Sequence, residues 1–590
     1  MVLEKERKKK TRIVCTIGPA SEDKKVLTKL VQAGMNVMRL NFSHGDFEEH
    51  GGRIKTLREI NKELNKNVAI LLDTKGPEIR TGDFVGGKTE FKKGQVSTIC
   101  VEDIEGTSER FTITYKDLYK DVKPGGFILV NDGQVELLVD HVDGTDIVCI
   151  CANDGVVKNK RGINVPGIKL GFDYLSEKDI GDLTFGCQQG VDFIAASFVR
   201  KPQDVLDIRE LLEEKHMEHV QIFPKIESQE GIDNIDDILK VSDGLMIARG
   251  DMGVEIPAEN VPLVQKALIK KCNALGMPVI TATQMLDSMQ ENPRPTRAEA
   301  SDVANAVFDG TDATMLSGES ANGDYPVEAV ATMARIDVKA ENALRQHKTF
   351  ALNDFDKTDV TEAIGRAVAE AADNLNIKTI VAATKSGHTA RMISKYRPDA
   401  DILAVTFDER TRRGLSINWG VYPVVAETPS STDEMFSLAT EEAKKCGFAK
   451  EGDLILITAG VPVGEKGTTN VMKIQLIGSK LVEGQGVGDE TVIGKTVVAS
   501  SADEANKKAI EGGILVTSTT DKDYLPAIEK SSALIVENGG LTSHAAVVGI
   551  SMGIPVIVGA KNATSLISDG EVVTVDSRRG IVYHGASNAL

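Results

Sequence analysis

The sequence lacks the features that mark secreted, disulfide-bonded or membrane-spanning proteins. Its seven cysteines are scattered and none belongs to a CxxC pair, which argues against a disulfide framework and a structural zinc site. No stretch approaches the ~20 consecutive apolar residues that a membrane-spanning helix needs. The first ten residues, MVLEKERKKK, contain no apolar segment, so we expect a solvated tail rather than a signal peptide. We therefore expect a reduced, cytoplasmic protein with no membrane partner.

Positive charge is scarce relative to negative charge. The chain has 69 Lys and Arg residues against 87 Asp and Glu residues, and its net charge is −18. Such an excess of acidic groups disfavours nucleic acid as a general partner, because the phosphate backbone is repelled. Small anionic substrates remain possible, since local clusters of basic side chains decide whether they bind.

The length of 590 residues exceeds what one hydrophobic core supports, so we expect three or four domains. Short apolar runs alternate with helical segments, first over residues 1–74 and again over residues 171–345, where Ser176 and Asp179 suit a helix start. Between them, residues 75–170 form short strands separated by turn residues, which predicts an inserted all-β domain. Three strands before the insertion and five after it, over roughly 250 residues, predict a TIM (β/α)8 barrel.

Two further domains are expected after the barrel. Apolar residues recur at helical spacing after residue 360, and strand–loop pairs rich in Gly, Ser and Thr follow. These features predict an α/β domain with anion-binding loops over residues 346–475. The glycines of EGQGVGDE indicate a linker over residues 476–489, and a compact last domain is expected over residues 490–590.

Charged side chains follow two successive strands of the predicted barrel. Lys225 and Glu227 end one apolar run, and Asp251 follows the run Leu245–Ala248. The carboxyl ends of barrel strands form the face that carries chemistry, so we expect these groups to converge there. Two carboxylates with few other ligands suit Mg²⁺ or Mn²⁺, and a neighbouring lysine suits a phosphate or carboxylate. The same rim is predicted to hold Arg39, Asn41, Ser43, Asp73, Arg80 and Thr283.

Seven segments resemble pyruvate kinases in their order and spacing. They are TRIVCTIGPAS, MRLNFSHG, LLDTKGPEIRTG, PKIES, ARGDMGVE, ITATQMLDSM and PTRAEASDVANAVFDGTDATMLSGESANGDYPVEAV. The resemblance covers residues 11–475 and implies a TIM barrel, a β-barrel lid inserted after the third strand, and an effector-binding α/β domain. It implies transfer of phosphate from phosphoenolpyruvate to ADP, giving pyruvate and ATP in glycolysis, and a homotetramer.

The resemblance also implies roles at the barrel mouth. Glu227 and Asp251 would hold Mg²⁺ or Mn²⁺, Lys225 would face the transferring phosphoryl group, and Arg39 would bind that phosphate. The substrate carboxylate would be positioned by Gly250, Asp251 and Thr283. Thr283, through water, would lie on the proton route to the enolate carbon.

A potassium site and a nucleotide site are implied by the same resemblance. The residues that resemble the potassium site are Asn41, Ser43, Asp73 and Thr74, the last through its carbonyl. The residues implied to reach the phosphates of ADP and ATP are Asn41, His44, Arg80 and Arg161. An acid at the position of Glu78 goes with potassium dependence in this family, so we expect a K⁺ requirement.

Two loops beyond the barrel carry further expectations. In the α/β domain, the loop matching the site for an activating phosphorylated metabolite is Thr384, Lys385, Ser386, Gly387, His388 and Thr389. The last domain resembles the phosphohistidine domain of phosphoenolpyruvate-utilising enzymes, in which His544 matches the phosphorylated histidine. Ile550 stands where those enzymes usually have an arginine, so we expect this domain to be structural or regulatory and its histidine vestigial.

Three other functions are each consistent with part of the sequence. A magnesium-dependent enolate aldolase or lyase would share the Glu/Asp metal pair, but such barrels lack the inserted lid. A phosphohistidine phosphotransferase is favoured only by the last domain. A ligand sensor with an inactive barrel is disfavoured, because each catalytic position that can be matched holds the expected residue.

Overall fold

The computed structural model describes residues 8–171, 173–347, 360–461, 469–478 and 480–586, and its first domain is a closed barrel of eight parallel strands. The first strand pairs with the last, Arg12 opposite Ala313, which closes the barrel. Three strands precede the inserted domain and five follow it, as the sequence predicted. The strands are Arg12–Thr16, Val37–Asn41, Ala69–Asp73, Phe193–Ala196, Gln221–Ile226, Leu245–Ala248, Val279–Ala282 and Ala313–Leu316.

Helices surround the barrel and bury the outer faces of its strands. The predicted helix start at Ser176 is confirmed: its side chain accepts a hydrogen bond from the backbone N–H of Asp179, whose carboxylate accepts one in return. The α-helices are Lys24–Ala33, Phe47–Leu64, Glu177–Gln189, Pro202–Glu214, Gln229–Asp233, Ile235–Leu239, Arg249–Glu255, Val261–Leu275, Arg297–Asp309, Gly318–Ala321 and Pro326–His347. Short 3₁₀ turns span Ala258–Asn260 and Asp287–Gln290.

The inserted lid is a seven-stranded, mainly antiparallel sheet with a separate two-stranded ribbon. A bridge between Thr81 and Ile113 joins the two outer strands, so the sheet curls round a core that includes Phe84, Phe91 and Phe111. The sheet strands are Ile79–Arg80, Val96–Cys100, Arg110–Thr112, Phe127–Val130, Val135–Asp143, Asp146–Cys151 and Gly162–Asn164. The ribbon strands are Lys88–Phe91 and Gly155–Lys158, and the helical turns are Val85–Gly87 and Leu118–Asp121.

The α/β domain contains a five-stranded sheet with strands Val421–Val425, Asp401–Thr406, Thr379–Ala383, Leu454–Gly460 and Thr469–Leu476, in that spatial order. Its helices are Val360–Asn374, His388–Ser394 and Thr432–Lys445. The chain divides into two compact units, and residues 408–423, with the helix Glu409–Gly414, belong to the barrel unit. The predicted boundary at residue 346 lies just before residues 348–359, which are outside the described residues, and so are residues 462–468 after Gly460. The predicted bounds of the α/β domain therefore stay predictions.

The last domain is built on an eight-stranded mixed sheet. Its strands, in spatial order, are Lys480–Glu483, Ile581–His584, Val572–Asp576, Thr491–Ala499, Gly513–Thr517, Ser531–Val536, Val556–Val558 and Gln485–Val487. Its helices are Ala502–Lys508, Leu525–Ile528, His544–Met552 and Ala563–Leu566, with a 3₁₀ turn at Lys522–Tyr524.

The expectation of a linker over residues 476–489 is wrong for its central part. Lys480–Glu483 and Gln485–Val487 are paired strands of the last sheet. A Cβ atom on Gly486 would lie 1.7 Å from the carbonyl oxygen of Ser577, so glycine is needed here for close backbone packing. The glycines that suggested flexibility are therefore sites where two backbone segments touch.

No helix in the described parts of the chain is long and apolar enough to cross a membrane.

Candidate active site

The barrel mouth brings together a lysine and two carboxylates from two strands that lie on either side of the strand Phe193–Ala196. Lys225 and Glu227 come from one strand end, and Asp73 from another. Their side chains are 11%, 1% and 1% exposed, respectively. The Lys225 ammonium lies 3.2 Å from Asp73 Oδ1 and 3.0 Å from Glu227 Oε1. Buried charges persist when they are paired, and a buried cluster of this kind in a cleft is a candidate functional site.

A second cation completes the charge arrangement around Asp73. Arg39 Nε donates a 2.6 Å hydrogen bond to Asp73 Oδ2, and Arg39 Nη1 donates to Thr16 Oγ1 at 2.8 Å. Arg39 and Lys225 therefore approach opposite oxygens of one carboxylate. The structure brings these two predicted phosphate-binding residues to the same mouth.

The neighbouring charges in the cluster favour the charged forms of Lys225 and Asp73. Burial would lower the pKa of Lys225, but Asp73, Glu227 and Asp251 raise it above its ordinary value. Burial would also raise the pKa of Asp73, but Arg39 and Lys225 lower it below the usual range. For Glu227, burial and the nearby Asp251 raise the pKa although Lys225 opposes this shift. An added cation would therefore stabilise the charged form of Glu227.

Glu227 and Asp251 fit a divalent cation that needs few protein ligands. Glu227 Oε2 accepts a 2.6 Å hydrogen bond from the N–H of Phe198. Its buried Oε1 forms an ion pair with Lys225 Nζ at 3.0 Å but accepts no well-aligned hydrogen bond from the described residues. Asp251 is exposed at the mouth. Over the described ranges no three His, Cys, Asp or Glu side chains cluster as a metal site.

The predicted carboxylate-positioning residues are joined to each other. The N–H of Gly250 donates to Thr283 Oγ1 at 2.7 Å, and that hydroxyl donates to the carbonyl of Ala282. Thr283 has φ of 68°, a conformation that a β-branched residue rarely adopts. Arg249 holds this strained turn by donating to the carbonyls of Ala282 and Thr283. The N–H of Gly250 is therefore occupied by Thr283 in this structure.

The residues predicted for potassium form two joined pairs. Asn41 Oδ1 accepts a hydrogen bond from the N–H of Ser43 at 3.1 Å. Asp73 and the carbonyl of Thr74 are linked through the hydroxyl of Ser197, which lies 3.1 Å and 2.6 Å from their oxygens. Oxygen atoms of these types suit a monovalent cation.

The residues predicted for the nucleotide phosphates are more dispersed. His44 is exposed beyond the second barrel strand, and Arg161 is exposed in the lid. Arg80 begins the lid; its Nε donates to Glu78 at 2.7 Å and its Nη1 to the carbonyl of Lys160 at 3.0 Å. A cleft between lid and barrel, lined in part by Glu78 and Asp251, has a volume of about 220 Å³.

Ser197, Phe198 and Arg249 are site residues that sequence reasoning missed. Ser197 and Phe198 directly follow the strand Phe193–Ala196, so their position at a strand end was the signal that could have identified them. Arg249 lies beside the predicted Gly250 and Asp251. Its role required knowledge of the distant turn at Thr283.

The predicted effector loop in the α/β domain is ordered by its own side chains. Gly387, with φ of 79°, donates its N–H to Thr384 Oγ1 at 3.0 Å. Thr389, buried in the first turn of the following helix, shares a 2.7 Å hydroxyl contact with Thr469. Lys385 is exposed, and Ser386 and His388 are partly exposed. The loop therefore presents polar groups at a helix start, a geometry that suits an anion.

His544 begins the helix His544–Met552 of the last domain. Its Nδ1 lies 3.1 Å from Thr520 Oγ1. Ile550, on the same helix, is 69% exposed and contributes no charge.

Comparison with known proteins gives matches over nearly the whole chain. Family models match for the barrel domain of pyruvate kinase over residues 8–330, the alpha/beta domain of pyruvate kinase over 362–475, and the mobile domain of PEP-utilising enzymes over 509–580. The pyruvate kinase of Lactobacillus delbrueckii subsp. bulgaricus is 59% identical over 588 residues, and that of Bacillus licheniformis 57% over 585. Each alignment covers 99% of this chain and 100% of the relative.

A solved structure gives the same relationship. The chain is similar to a crystal structure of a pyruvate kinase from Cryptosporidium parvum, with a TM-score of 0.74 and 40% sequence identity. The alignment covers 79% of this chain and 96% of that one.

Proposed function

The chain belongs to the pyruvate kinase family, and on that premise we propose which residues carry the reaction and how it is regulated. As a member of this family it transfers the phosphoryl group of phosphoenolpyruvate to ADP, forms pyruvate and ATP, and needs Mg²⁺ and K⁺. The observation that supports the site is the buried cluster of Lys225, Arg39 and Asp73 beside Glu227. Two cations converge there, next to a carboxylate that lacks a full set of partners.

Phosphoryl transfer depends mainly on positioning and on positive charge around the moving group. We assign the ammonium of Lys225 to the transferring phosphoryl group and the guanidinium of Arg39 to the same phosphate. Glu227 and Asp251 would hold Mg²⁺, which supplies further positive charge to substrate oxygens. Asp73 keeps both cations in place, because each of its oxygens pairs with one of them.

The turn around Thr283 is assigned to the carboxylate end of the substrate and to the proton. Gly250 and Asp251 would offer their backbone N–H groups to the carboxylate once Thr283 releases the N–H of Gly250. The freed Thr283 hydroxyl would then orient a water that protonates the enolate carbon. Arg249 keeps the backbone of the turn fixed during this exchange.

The potassium and nucleotide residues are assigned on the same basis. Potassium would lie among the oxygens of Asn41, Ser43, Asp73 and Thr74. The nucleotide phosphates would meet Asn41, His44, Arg80 and Arg161. Two of these residues lie at the start and in the body of the lid, so nucleotide binding favours lid closure, which excludes water from the reacting groups.

We propose that a phosphorylated metabolite activates the enzyme through the loop 384–389.

Substitution Ser386→Asp places a negative charge where the loop offers polar groups to a phosphate, so we expect activation to disappear while basal activity remains. The measurement is the half-saturating phosphoenolpyruvate concentration with a panel of sugar phosphates and nucleoside monophosphates. One compound should lower it by roughly fivefold or more in the parent enzyme. The matched control is Ser437→Asp, which should keep the activation. Activation that survives in Ser386→Asp would refute the assignment of the effector site to this loop.

The assembly and the location follow family expectations. We propose a cytoplasmic homotetramer; sedimentation at several protein concentrations measures the mass directly, and a stable monomer or dimer would exclude it.

We propose that the last domain is structural or regulatory and that His544 is not a phosphate carrier. The exposed Ile550 offers no charge to clamp a phosphate near His544. Incubation of the enzyme with phosphoenolpyruvate labelled in its phosphate should therefore leave no acid-labile label on the protein. Label that appears in the parent enzyme and is absent from His544→Ala would contradict this and support histidine phosphotransfer.

A further inference from the structure

The turn Ser197–Phe198 contacts several residues of the proposed site without belonging to any of the proposed ligand sets. Ser197 is 2% exposed, although its side chain is polar. Phe198 has φ of 56°, a backbone conformation that is strained for an aromatic residue. Strain of this kind persists where the surroundings enforce it, and it clusters at functional sites.

The hydroxyl of Ser197 lies between the catalytic lysine and the proposed potassium ligands. It accepts a 2.8 Å hydrogen bond from Lys225 Nζ. It lies 2.6 Å from the carbonyl oxygen of Thr74 and 3.1 Å from Asp73 Oδ1. A hydroxyl has one proton, and the shorter distance favours donation to Thr74. One side chain thus joins the ammonium to a carbonyl assigned to K⁺.

The backbone of the same turn supports the carboxylate assigned to Mg²⁺. The N–H of Phe198 donates to Glu227 Oε2 at 2.6 Å, and its positive φ aims that N–H at the carboxylate. Tyr174 fixes the turn from the other side, because its hydroxyl donates to the carbonyl of Ser197 at 2.8 Å. A Cβ atom on Gly76 would lie 2.9 Å from the side chain of Ser197, so glycine permits the close approach.

We propose that Ser197 is a positioning residue that couples the potassium site to Lys225. A cation held by Asp73 and Thr74 fixes the direction of the Ser197 hydroxyl, and this hydroxyl then fixes the ammonium toward the transferring phosphoryl group. The proposal rests on the site roles assigned under the proposed function. It explains how a monovalent cation beside the reacting groups can affect turnover.

Substitution Ser197→Ala removes the hydroxyl without adding volume, so the buried turn can still form. We expect kcat to fall by about 10- to 100-fold, the range typical for partners that orient a ligand. The half-saturating K⁺ concentration, measured by binding titration without turnover as well as from rates, should rise several-fold, since Thr74 loses the group that orients its carbonyl. The half-saturating Mg²⁺ concentration should stay within twofold. Ser197→Thr keeps the hydroxyl and should recover most of the lost kcat. If Ser197→Thr does not fold, Ser197→Gly provides a second variant that should match Ser197→Ala.

The matched control is Ser242→Ala, because Ser242 donates its hydroxyl to the carbonyl of Ile238 and belongs to no proposed site. A loss of kcat in Ser197→Ala with unchanged K⁺ half-saturation would overturn the coupling, as would a kcat within twofold of the parent enzyme. Asp73→Asn separates the coupling through Ser197 from the assignment of the potassium site. If Asp73→Asn leaves the K⁺ half-saturation unchanged, the potassium site itself is wrongly assigned.

Discussion

Lys225→Met is expected to lower turnover by at least about 10²–10³-fold, because it removes a fixed positive charge from the transferring phosphoryl group. Methionine retains an unbranched apolar chain of similar length, so the packing of the barrel mouth is largely preserved. Arg39 still pairs with Asp73 in the variant, so that buried carboxylate keeps one cation. The loss should therefore appear in kcat rather than as unfolding.

Pyruvate formation from phosphoenolpyruvate and ADP measures the effect of Lys225→Met, and circular dichroism checks that the variant is folded. Lys240→Met is the matched control, because Lys240 is exposed and pairs only with Asp237 among the salt bridges of the described chain. The control should retain the parent rate. Turnover of Lys225→Met within tenfold of the parent enzyme would rule out the proposed role of this lysine.

Glu227→Gln is expected to have the second large effect. Glutamine keeps the shape of the side chain and can accept the hydrogen bond from Phe198, but it supplies no negative charge to a metal ion. Hard cations such as Mg²⁺ prefer carboxylate oxygens, so we expect turnover to fall by about 10²-fold or more. The half-saturating Mg²⁺ concentration should rise by more than about tenfold.

Initial rates over a series of Mg²⁺ concentrations measure this prediction. Glu214→Gln provides the matched control, because Glu214 is exposed at the end of the helix Pro202–Glu214, which is a structural element outside the site. If Glu227→Gln leaves the Mg²⁺ half-saturation unchanged, the cation is held elsewhere. A variant that binds Mg²⁺ normally but turns over slowly would also count against the assignment.

The barrel and the positions of its charged groups could be predicted from local sequence. Lys225, Glu227 and Asp251 follow buried strands, and the ends of parallel strands meet on one face whatever the details of packing. The interruption of the strand–helix alternation by short strands and turn residues also predicted the inserted domain. These conclusions depend on periodicity and on chain order, which a sequence carries directly.

The contacts inside the site could not be predicted in the same way. Ser197 meets Thr74 and Lys225 because the strand Phe193–Ala196 pairs with the strand that ends before Thr74 and with the strand that contains Lys225. The strain at Phe198 exists only in the folded chain. Composition also misled the sequence analysis at Gly486, where glycine permits packing against Ser577 rather than flexibility. Such features depend on distances between segments that are far apart in the chain.

The placement of the catalytic cation can be tested by Mn²⁺ binding in place of Mg²⁺. Electron paramagnetic resonance monitors this binding in the presence of phosphoenolpyruvate. The parent enzyme should bind one Mn²⁺ per chain at the mouth. Glu227→Gln and Asp251→Asn should each weaken that binding strongly, and Glu214→Gln should not. Unchanged Mn²⁺ binding in the double variant Glu227→Gln, Asp251→Asn would contradict the placement of the catalytic cation at these two carboxylates.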